Sequence, residues 1–202
     1  DAELNKFPGN TCQFAAAAAS APLLHNPGDK WSYGINMDVL GCVVEVITKM
    51  TFAEYLQKNI FDPLGLKSIG FSVNPQDKNS FTTLYTSGAF SRDGEVVAPS
   101  GLNQAELMYS AELRAIDKFD NSPYLKNSSK LFDGGSGLVS NIDDYSKFAE
   151  MLLNGGVLNG IRIISEASVD LMSRNHLSDE ILSGGSAFGL NGIGFGLTVG
   201  NV

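Results

Sequence analysis

The stretch at residues 27–41 constrains the fold of this chain more than any other segment. A Pro27-Gly28 turn leads to an aromatic pair, Trp31 and Tyr33, and a glycine then precedes a long apolar segment. Because glycine reaches backbone angles that other residues avoid, this turn can place a side chain where a helix interior could not. A tyrosine at the start of a helix either transfers protons in a reaction or packs in the core beside the tryptophan.

Apolar spacing predicts helices on both sides of this turn. An alanine run at residues 15–19 favours one helix, because alanine has the highest helix propensity. Residues 37–49 carry a stripe at helical spacing that we expect to face a core, formed by Val39, Leu40, Val43, Val44 and Ile47. Thr51 and Glu54 form a capping-box pattern that starts a further helix, which we expect to end near Asn59.

The second half of the chain alternates glycine-rich loops with helices. After the glycines at residues 134–137, Ser140 is placed to cap one helix, and Ser165 is placed to cap the next. Strand character appears at residues 81–85, 94–98 and 195–199.

Composition and charge exclude several classes of protein. Lys and Arg number 14 against 22 Asp and Glu, and no basic cluster occurs, so we expect no nucleic-acid partner. No apolar run reaches the about 18 residues of a membrane span. His25 and His176 lie far apart without ligand spacing, so we expect no metal and no other cofactor. Cys12 and Cys42 have apolar, helix-like surroundings, which favours two buried thiols over a disulfide.

The glycine-rich residues 134–137 match no phosphate or nucleophile motif completely. They lack the Gly-Lys-Ser/Thr ending and the positive charge of a phosphate loop. Ser136 does not stand in a Gly-x-Ser-x-Gly frame, so we interpret the segment as a tight turn that brings backbone close to a cavity. No serine stands three residues before any lysine, so a Ser-x-x-Lys nucleophile is absent from these 202 residues.

Two blocks of the sequence together resemble one enzyme family. The first block includes Pro27-Gly28-Asp29-Lys30-Trp31-Ser32-Tyr33, Asp38-Val39-Leu40-Gly41 and Ile60-Phe61-Asp62-Pro63-Leu64-Gly65-Leu66. The second includes Gly134-Gly135-Ser136-Gly137-Leu138-Val139-Ser140, Asp144-Tyr145 and Met151-Leu152-Leu153-Asn154-Gly155-Gly156. Their order and spacing resemble the middle of the β-lactamase-related serine hydrolases, which include class C β-lactamases, family VIII carboxylesterases and related acyltransferases.

This resemblance implies an α+β fold of the β-lactamase/transpeptidase type, with a helical subdomain and part of an antiparallel sheet flanked by helices. Residues 1–202 would be the central portion of one serine-hydrolase domain. Residues 1–131 would form mainly helical subdomain and loops, and residues 132–202 the sheet-flanking helices and the first strand of the return to the sheet. The Ser-x-x-Lys segment would precede this portion, and the C-terminal strands of the sheet would follow it.

The resemblance also implies a serine acyl-enzyme mechanism in which Tyr33 is the base and proton shuttle. The residues that it implies for substrate binding are Trp31, Ile35, Asn36, Gly135 and Ser136. The substrate would be a small ester or amide, and the missing segments of the parent chain would be a partner of these residues.

Position 35 departs from the lactamase-type pattern Tyr-x-Asn. Ile35 stands where that pattern has asparagine, and Asn36 comes one residue later, which resembles the esterase and acyltransferase branch. We therefore expect ester substrates. Two alternatives stay open. One is a β-lactamase or penicillin-binding D-Ala peptidase, and the other is a non-catalytic relative or inactive fragment that only binds a ligand or partner.

Overall fold

Helices joined by loops make up most of the described chain. The structure, a computed structural model, describes residues 8–87, 113–115, 124, 130–183, 194–197 and 199–201. Its α-helices are α1 (Thr11–Ala18), α2 (Asn36–Thr48), α3 (Phe52–Leu56), α4 (Asp62–Leu64), α5 (Ile142–Leu153), α6 (Glu166–Ser173) and α7 (Asp179–Ser183). A π-helix, Gln57–Phe61, joins α3 to α4, and a 3-10 helix spans Pro75–Ser80. Within these ranges no helix combines the length and the apolarity that crossing a bilayer requires.

Short antiparallel strand pairs complete an α+β arrangement. The strands are β1 (Tyr85–Ser87), β2 (Leu113–Ala115), β3 (Val157–Leu158), β4 (Ile161–Arg162), β5 (Gly194–Phe195) and β6 (Gly200–Asn201). In the described residues β1 pairs with β2, β3 with β4, and β5 with β6. The strand predicted at residues 81–85 therefore begins only at its last residue. Of the strand predicted at residues 195–199, only Phe195 lies in a strand, β5, and the Gly196 N–H donates to the Val199 carbonyl within the connection to β6. The strand predicted at residues 94–98 lies outside the described residues.

Helices α1 and α2 pack together and are joined by a disulfide. Gly41 has no side chain to keep the helices apart, and a Cβ there would lie 3.4 Å from Thr11 Cγ2. The close approach brings the Cα atoms of Cys12 and Cys42 to 4.7 Å, and their sulfurs are bonded. The prediction of two free thiols is wrong. The pattern of apolar residues places each cysteine on a buried side of its helix, but it does not show that the two sides meet.

The apolar stripe of α2 does not face a core in the described part of the chain. The buried positions of α2 are Asp38 and Gly41, on the side that α1 and the loop at residues 132–135 cover. The exposed apolar side chains of this helix are Val39, Leu40, Val43, Val46 and Ile47. The prediction that the stripe faces a core is therefore wrong for the residues that the structure describes, because none of them packs over that side.

The helical segment that starts at α3 runs further than the sequence predicts. Its start is confirmed, because the Glu54 N–H donates to the Thr51 hydroxyl at 3.2 Å and the Thr51 N–H donates to the Glu54 carboxylate at 2.9 Å. The segment continues past Asn59 because Pro63 falls in the first turn of α4, where its missing N–H leaves no helical bond unmade. Gly65 then ends the segment with a φ of 65°.

The core lies where this helical segment packs against α5 and β3. Its buried members are Phe61, Leu64, Leu66, Met151 and Leu158. Asn141, one residue after the predicted Ser140, caps α5. Buried Asp144 accepts a hydrogen bond from the Ser68 N–H at 2.7 Å and pairs with Lys147 at 3.0 Å. Burial alone would raise the pKa of Asp144, but these donors outweigh it and hold the pKa below its ordinary value.

Candidate functional site

The side chain of Tyr33 lies at the surface beside the start of α2. It is 77% exposed, so the interpretation of this residue as a core tyrosine is wrong. Gly28, at a φ of 92°, turns the chain into an irregular segment that stays near the surface until α2 begins at Asn36. Ile35 precedes the helix and makes no side-chain capping bond. The turn therefore presents the phenol outside the core.

Trp31 is half-buried and joins this turn to the last strand pair. Its ring packs edge-on against that of Phe195, with centroids 5.2 Å apart. Ile35 and Asn36 are exposed at the start of α2. Four of the six predicted site residues thus lie in or next to the segment that leads into this helix, and β5 provides an aromatic neighbour for one of them.

Residues 134–136, here named the glycine loop, lie against the first turn of α2. A Cβ on Gly134 would collide with the carbonyl oxygen of Met37, so only glycine fits at this position. The N–H of Gly135 donates to Asp38 Oδ1 at 3.0 Å. The remaining two predicted site residues, Gly135 and Ser136, are therefore brought to the same helix end as Tyr33. The two blocks of sequence that carry the family resemblance meet here.

Asp133, the residue before the glycine loop, accepts hydrogen bonds from the loop. Its Oδ1 accepts the N–H groups of Gly135 and Ser136 at 3.0 and 2.9 Å. Its Oδ2 accepts the Ser136 hydroxyl at 2.6 Å. An aspartate that binds the backbone two and three residues ahead is a common way of fixing a tight turn. The hydroxyl of Ser136 and the N–H of Gly135 are consequently bonded within the protein.

Asp38 and Asp133 form a pair of buried carboxyl groups that the sequence analysis did not assign to the site. Their exposed fractions are 3% and 9%. Burial, followed by the hydrogen bond and charge of Asp133, raises the pKa of Asp38 to about 6. Burial would also raise the pKa of Asp133, but hydrogen bonds from Asp38 and Ser136 hold it below its ordinary value. In the sequence, Asp133 stands before two glycines and Asp38 stands in the first turn of a predicted helix. Neither position indicates that the two side chains meet.

The candidate site lies at the exposed start of α2, and we looked for other candidate sites among the described residues. A cavity of about 180 Å³ is lined by side chains between residues 68 and 81 and by residues 139–141, and contains none of the six predicted site residues. Within the described ranges, no three His, Cys, Asp or Glu side chains are grouped as a metal ion would need. The start of α2 therefore combines the exposed phenol of Tyr33, the aromatic pair of Trp31 and Phe195, and a glycine loop held by hydrogen bonds.

Comparison with known proteins identifies the family. The family model described as Beta-lactamase matches residues 2–202. The chain belongs to the β-lactamase family. The resemblance found in the two sequence blocks to the β-lactamase-related serine hydrolases is thereby confirmed.

Relatives of this β-lactamase-family chain include an esterase and an acyltransferase. Protein Rv1367c of Mycobacterium tuberculosis is 30% identical over 166 residues, which are 82% of this chain and 35% of the relative. Lovastatin esterase of Penicillium rubens is 31% identical over 161 residues, 79% of this chain and 34% of the relative. Monacolin J acid methylbutanoyltransferase of Aspergillus terreus is 26% identical over 151 residues, 75% of this chain and 30% of the relative. The chain spans about a third of the length of these relatives.

A solved structure shares the fold. EstCE1, described as a hydrolase with promiscuous acyltransferase activity, superposes with a TM-score of 0.67 over 96% of this chain and 46% of its own, at 23% identity. At this identity the likeness establishes the fold alone. It confirms the predicted β-lactamase/transpeptidase-like α+β fold.

Proposed function

We propose that this β-lactamase-family chain is the central portion of a serine hydrolase or acyltransferase that acts on esters through an acyl-enzyme. The observation that carries the proposal is the contact between the glycine loop and the first turn of α2, with the exposed phenol of Tyr33 beside it. An esterase and an acyltransferase among the relatives support the choice of reaction, as does the activity named for EstCE1.

The proposed reaction needs a nucleophile, a base and a group that stabilises the developing negative charge. The nucleophilic serine and its lysine would come from a Ser-x-x-Lys segment outside these residues. Tyr33, acting as the base, takes the proton of the serine hydroxyl as the serine oxygen attacks the ester carbonyl carbon. When the tetrahedral intermediate collapses, the bond to the leaving oxygen breaks and Tyr33 returns the proton to that oxygen. Water or a second alcohol then attacks the acyl-serine in the same way.

The substrate would contact the residues around Tyr33. Trp31, Ile35 and Asn36 supply an aromatic ring, an apolar side chain and an amide. Gly135 and Ser136 contribute shape rather than donated hydrogen bonds, because Asp38 and Asp133 already accept their N–H and O–H groups. Ile35 lacks the amide that the lactamase-type pattern has at this position, so the site favours an ester over a lactam.

We expect the whole protein to hydrolyse p-nitrophenyl butyrate at least about tenfold more efficiently than nitrocefin, because the missing amide contact is worth about 1.4 kcal/mol or more. The measurement is kcat/KM for both substrates, on material whose intact mass includes the Ser-x-x-Lys segment. A higher value for nitrocefin would favour the β-lactamase alternative. Absence of turnover with either substrate would favour a non-catalytic relative.

We also propose that segments of the parent chain cover the exposed apolar side of α2. Its apolar side chains have no described element over them, and Ile47 is 74% exposed. Exposed apolar patches of this kind mark contact surfaces in folded proteins. The relatives are about three times as long as the matched region, so a whole protein of that size has the chain needed to cover this side.

Replacing Ile47 with aspartate is expected to destabilise the whole protein by about 2 kcal/mol, because a covered apolar contact would be lost and a charge would be placed in it. Urea unfolding of the whole protein measures the change. Lys58→Asp, at an exposed position of the π-helix, is the matched control and should change stability by less than about 0.5 kcal/mol. Equal effects of the two variants would mean that Ile47 faces solvent in the whole protein.

A further inference from the structure

Two carboxyl groups from distant parts of the chain converge on one backbone N–H. The Gly135 N–H lies 3.0 Å from Asp38 Oδ1 and 3.0 Å from Asp133 Oδ1. Burial and the neighbouring carboxyl of Asp133 raise the pKa of Asp38 above its ordinary value. A hydrogen bond between two carboxyl groups requires a proton on one of them, because an ionised carboxylate is only an acceptor.

Within the described ranges, no lysine, arginine or histidine pairs with either carboxyl group to replace that proton. Lys147, a cation in the described part of the chain, pairs instead with Asp144 at 3.0 Å. The glycine loop presents the Ser136 hydroxyl, which donates to Asp133 Oδ2. Helix α1 has no side chain that ionises, since its cysteine is in a disulfide. Helix α2 adds Glu45, whose carboxylate accepts the Phe52 N–H at the other end of the helix.

We propose that Asp38 and Asp133 share one proton and act as a carboxyl latch that positions the glycine loop against the first turn of α2, beside Tyr33. In the closed latch, the acid of Asp38 donates to the carboxylate of Asp133, and both groups accept the Gly135 N–H. This assignment of a positioning role rests on the proposed function, whereas the shared proton itself does not.

The latch controls the glycine loop because the loop has no room to shift toward α2. A side chain on Gly134 would meet the Met37 carbonyl, and one on Gly135 would come within 3.3 Å of Asp38 Oδ2. When both carboxyl groups are ionised, their repulsion acts directly on the residues that hold this contact. The glycine loop and the start of α2 then separate. The position of Ser136 relative to the residues around Tyr33 is no longer fixed.

The latch is sensitive to pH in a defined direction. The pKa of Asp38 is raised from 3.8 to about 6, so the folded protein keeps the proton at pH values where the unfolded chain has released it. The stability that protonated Asp38 contributes is therefore full below about pH 4 and is lost as the pH rises through about 6, whereas the stability that ionised Asp133 contributes is full above about pH 4 and is lost as the pH falls. The latch is closed in acid and opens as the pH rises through about 6.

The first experiment tests the shared proton without using activity. The whole protein is labelled with [γ-13C]aspartate, and the carboxyl signals are titrated by NMR, with Asp38→Asn and Asp133→Asn providing the assignments. We expect one signal of the pair to titrate near pH 6 and the other to stay ionised to well below pH 4. In Asp38→Asn the transition near pH 6 should vanish. Two ordinary titrations, with no transition between pH 5 and 7, would overturn the latch.

The second experiment tests positioning through the ratio of kcat/KM for ester hydrolysis in Asp38→Asn to that in the unaltered enzyme. An asparagine amide donates to Asp133 at every pH, so the ratio should be near one at pH 5 and rise to between about three and ten at pH 7.5. Asp143→Asn, an exposed aspartate in the first turn of α5, is the matched control and should give a flat ratio. A flat ratio for Asp38→Asn would overturn the positioning role. If no ester is turned over, the proposed function fails and the NMR titration still decides the shared proton.

Discussion

Replacing Tyr33 with phenylalanine is expected to lower kcat/KM of the whole enzyme for p-nitrophenyl butyrate by about 100- to 10,000-fold, the usual contribution of a general base. The substitution removes only the phenolic oxygen, which accepts the serine proton in the proposed reaction. KM should change little, because the aromatic ring remains. The loss should therefore appear in kcat, as measured in steady-state assays on both proteins.

The same substitution should leave the fold intact. The side chain of Tyr33 is 77% exposed, so the loss of its hydroxyl should change the free energy of unfolding by less than about 0.5 kcal/mol. Tyr145→Phe, at an exposed tyrosine of α5, is the matched control and should keep normal turnover. If Tyr33→Phe retained more than about a tenth of normal kcat/KM, the assignment of Tyr33 as base would be withdrawn.

Local chemistry made several helix starts predictable. Thr51 and Glu54 satisfy each other's backbone amides within one turn, so no distant residue affects the result. Ser165 caps α6 by accepting the Ser168 N–H at 3.1 Å, as its position in the sequence indicates. The start of α5 was missed by one residue, because Ser140 and Asn141 are both good capping residues and local preference does not choose between them.

Features that depend on distant contacts were not predictable from the pattern of residues. The apolar spacing of α2 correctly indicates a helix, but it does not identify the side that α1 and the glycine loop cover. That side carries Asp38 and Gly41, which are poor indicators of a core. The continuation of the helical segment through Pro63 likewise depends on a π-helix that shifts the hydrogen-bond register before it.

For the candidate site too, the separate segments could be predicted from the sequence, but the contact between them could not. The segment around Tyr33 and the glycine loop were both selected from the sequence, because turns rich in glycine place backbone and side chains in unusual positions. Their contact could not be selected, since it depends on Asp38 and Asp133, which are 95 residues apart in the chain. A buried carboxyl pair becomes visible only when the fold brings its members together.

Removing the disulfide is expected to lower the free energy of unfolding by about 3.7 kcal/mol. The bond joins cysteines 30 residues apart, and a cross-link that closes a loop of this length restricts the unfolded chain by about that amount. The bond also fixes α1 against the helix that carries Asp38, so its loss acts close to the candidate site. Urea unfolding of Cys12→Ala/Cys42→Ala beside the unaltered protein, without reductant, measures the difference.

The two single variants provide the decisive control, because either one breaks the same bond. Cys12→Ala and Cys42→Ala should each lose nearly as much stability as the double variant, so their separate losses should add to about twice the loss of the double variant. Reductant should bring the unaltered protein close to the variants and leave the double variant unchanged. Single losses that simply sum to the double loss would show two independent buried side chains, which is the arrangement that the sequence alone favoured. Strong non-additivity that disappears when reductant is added, by contrast, indicates a covalent contact between α1 and α2.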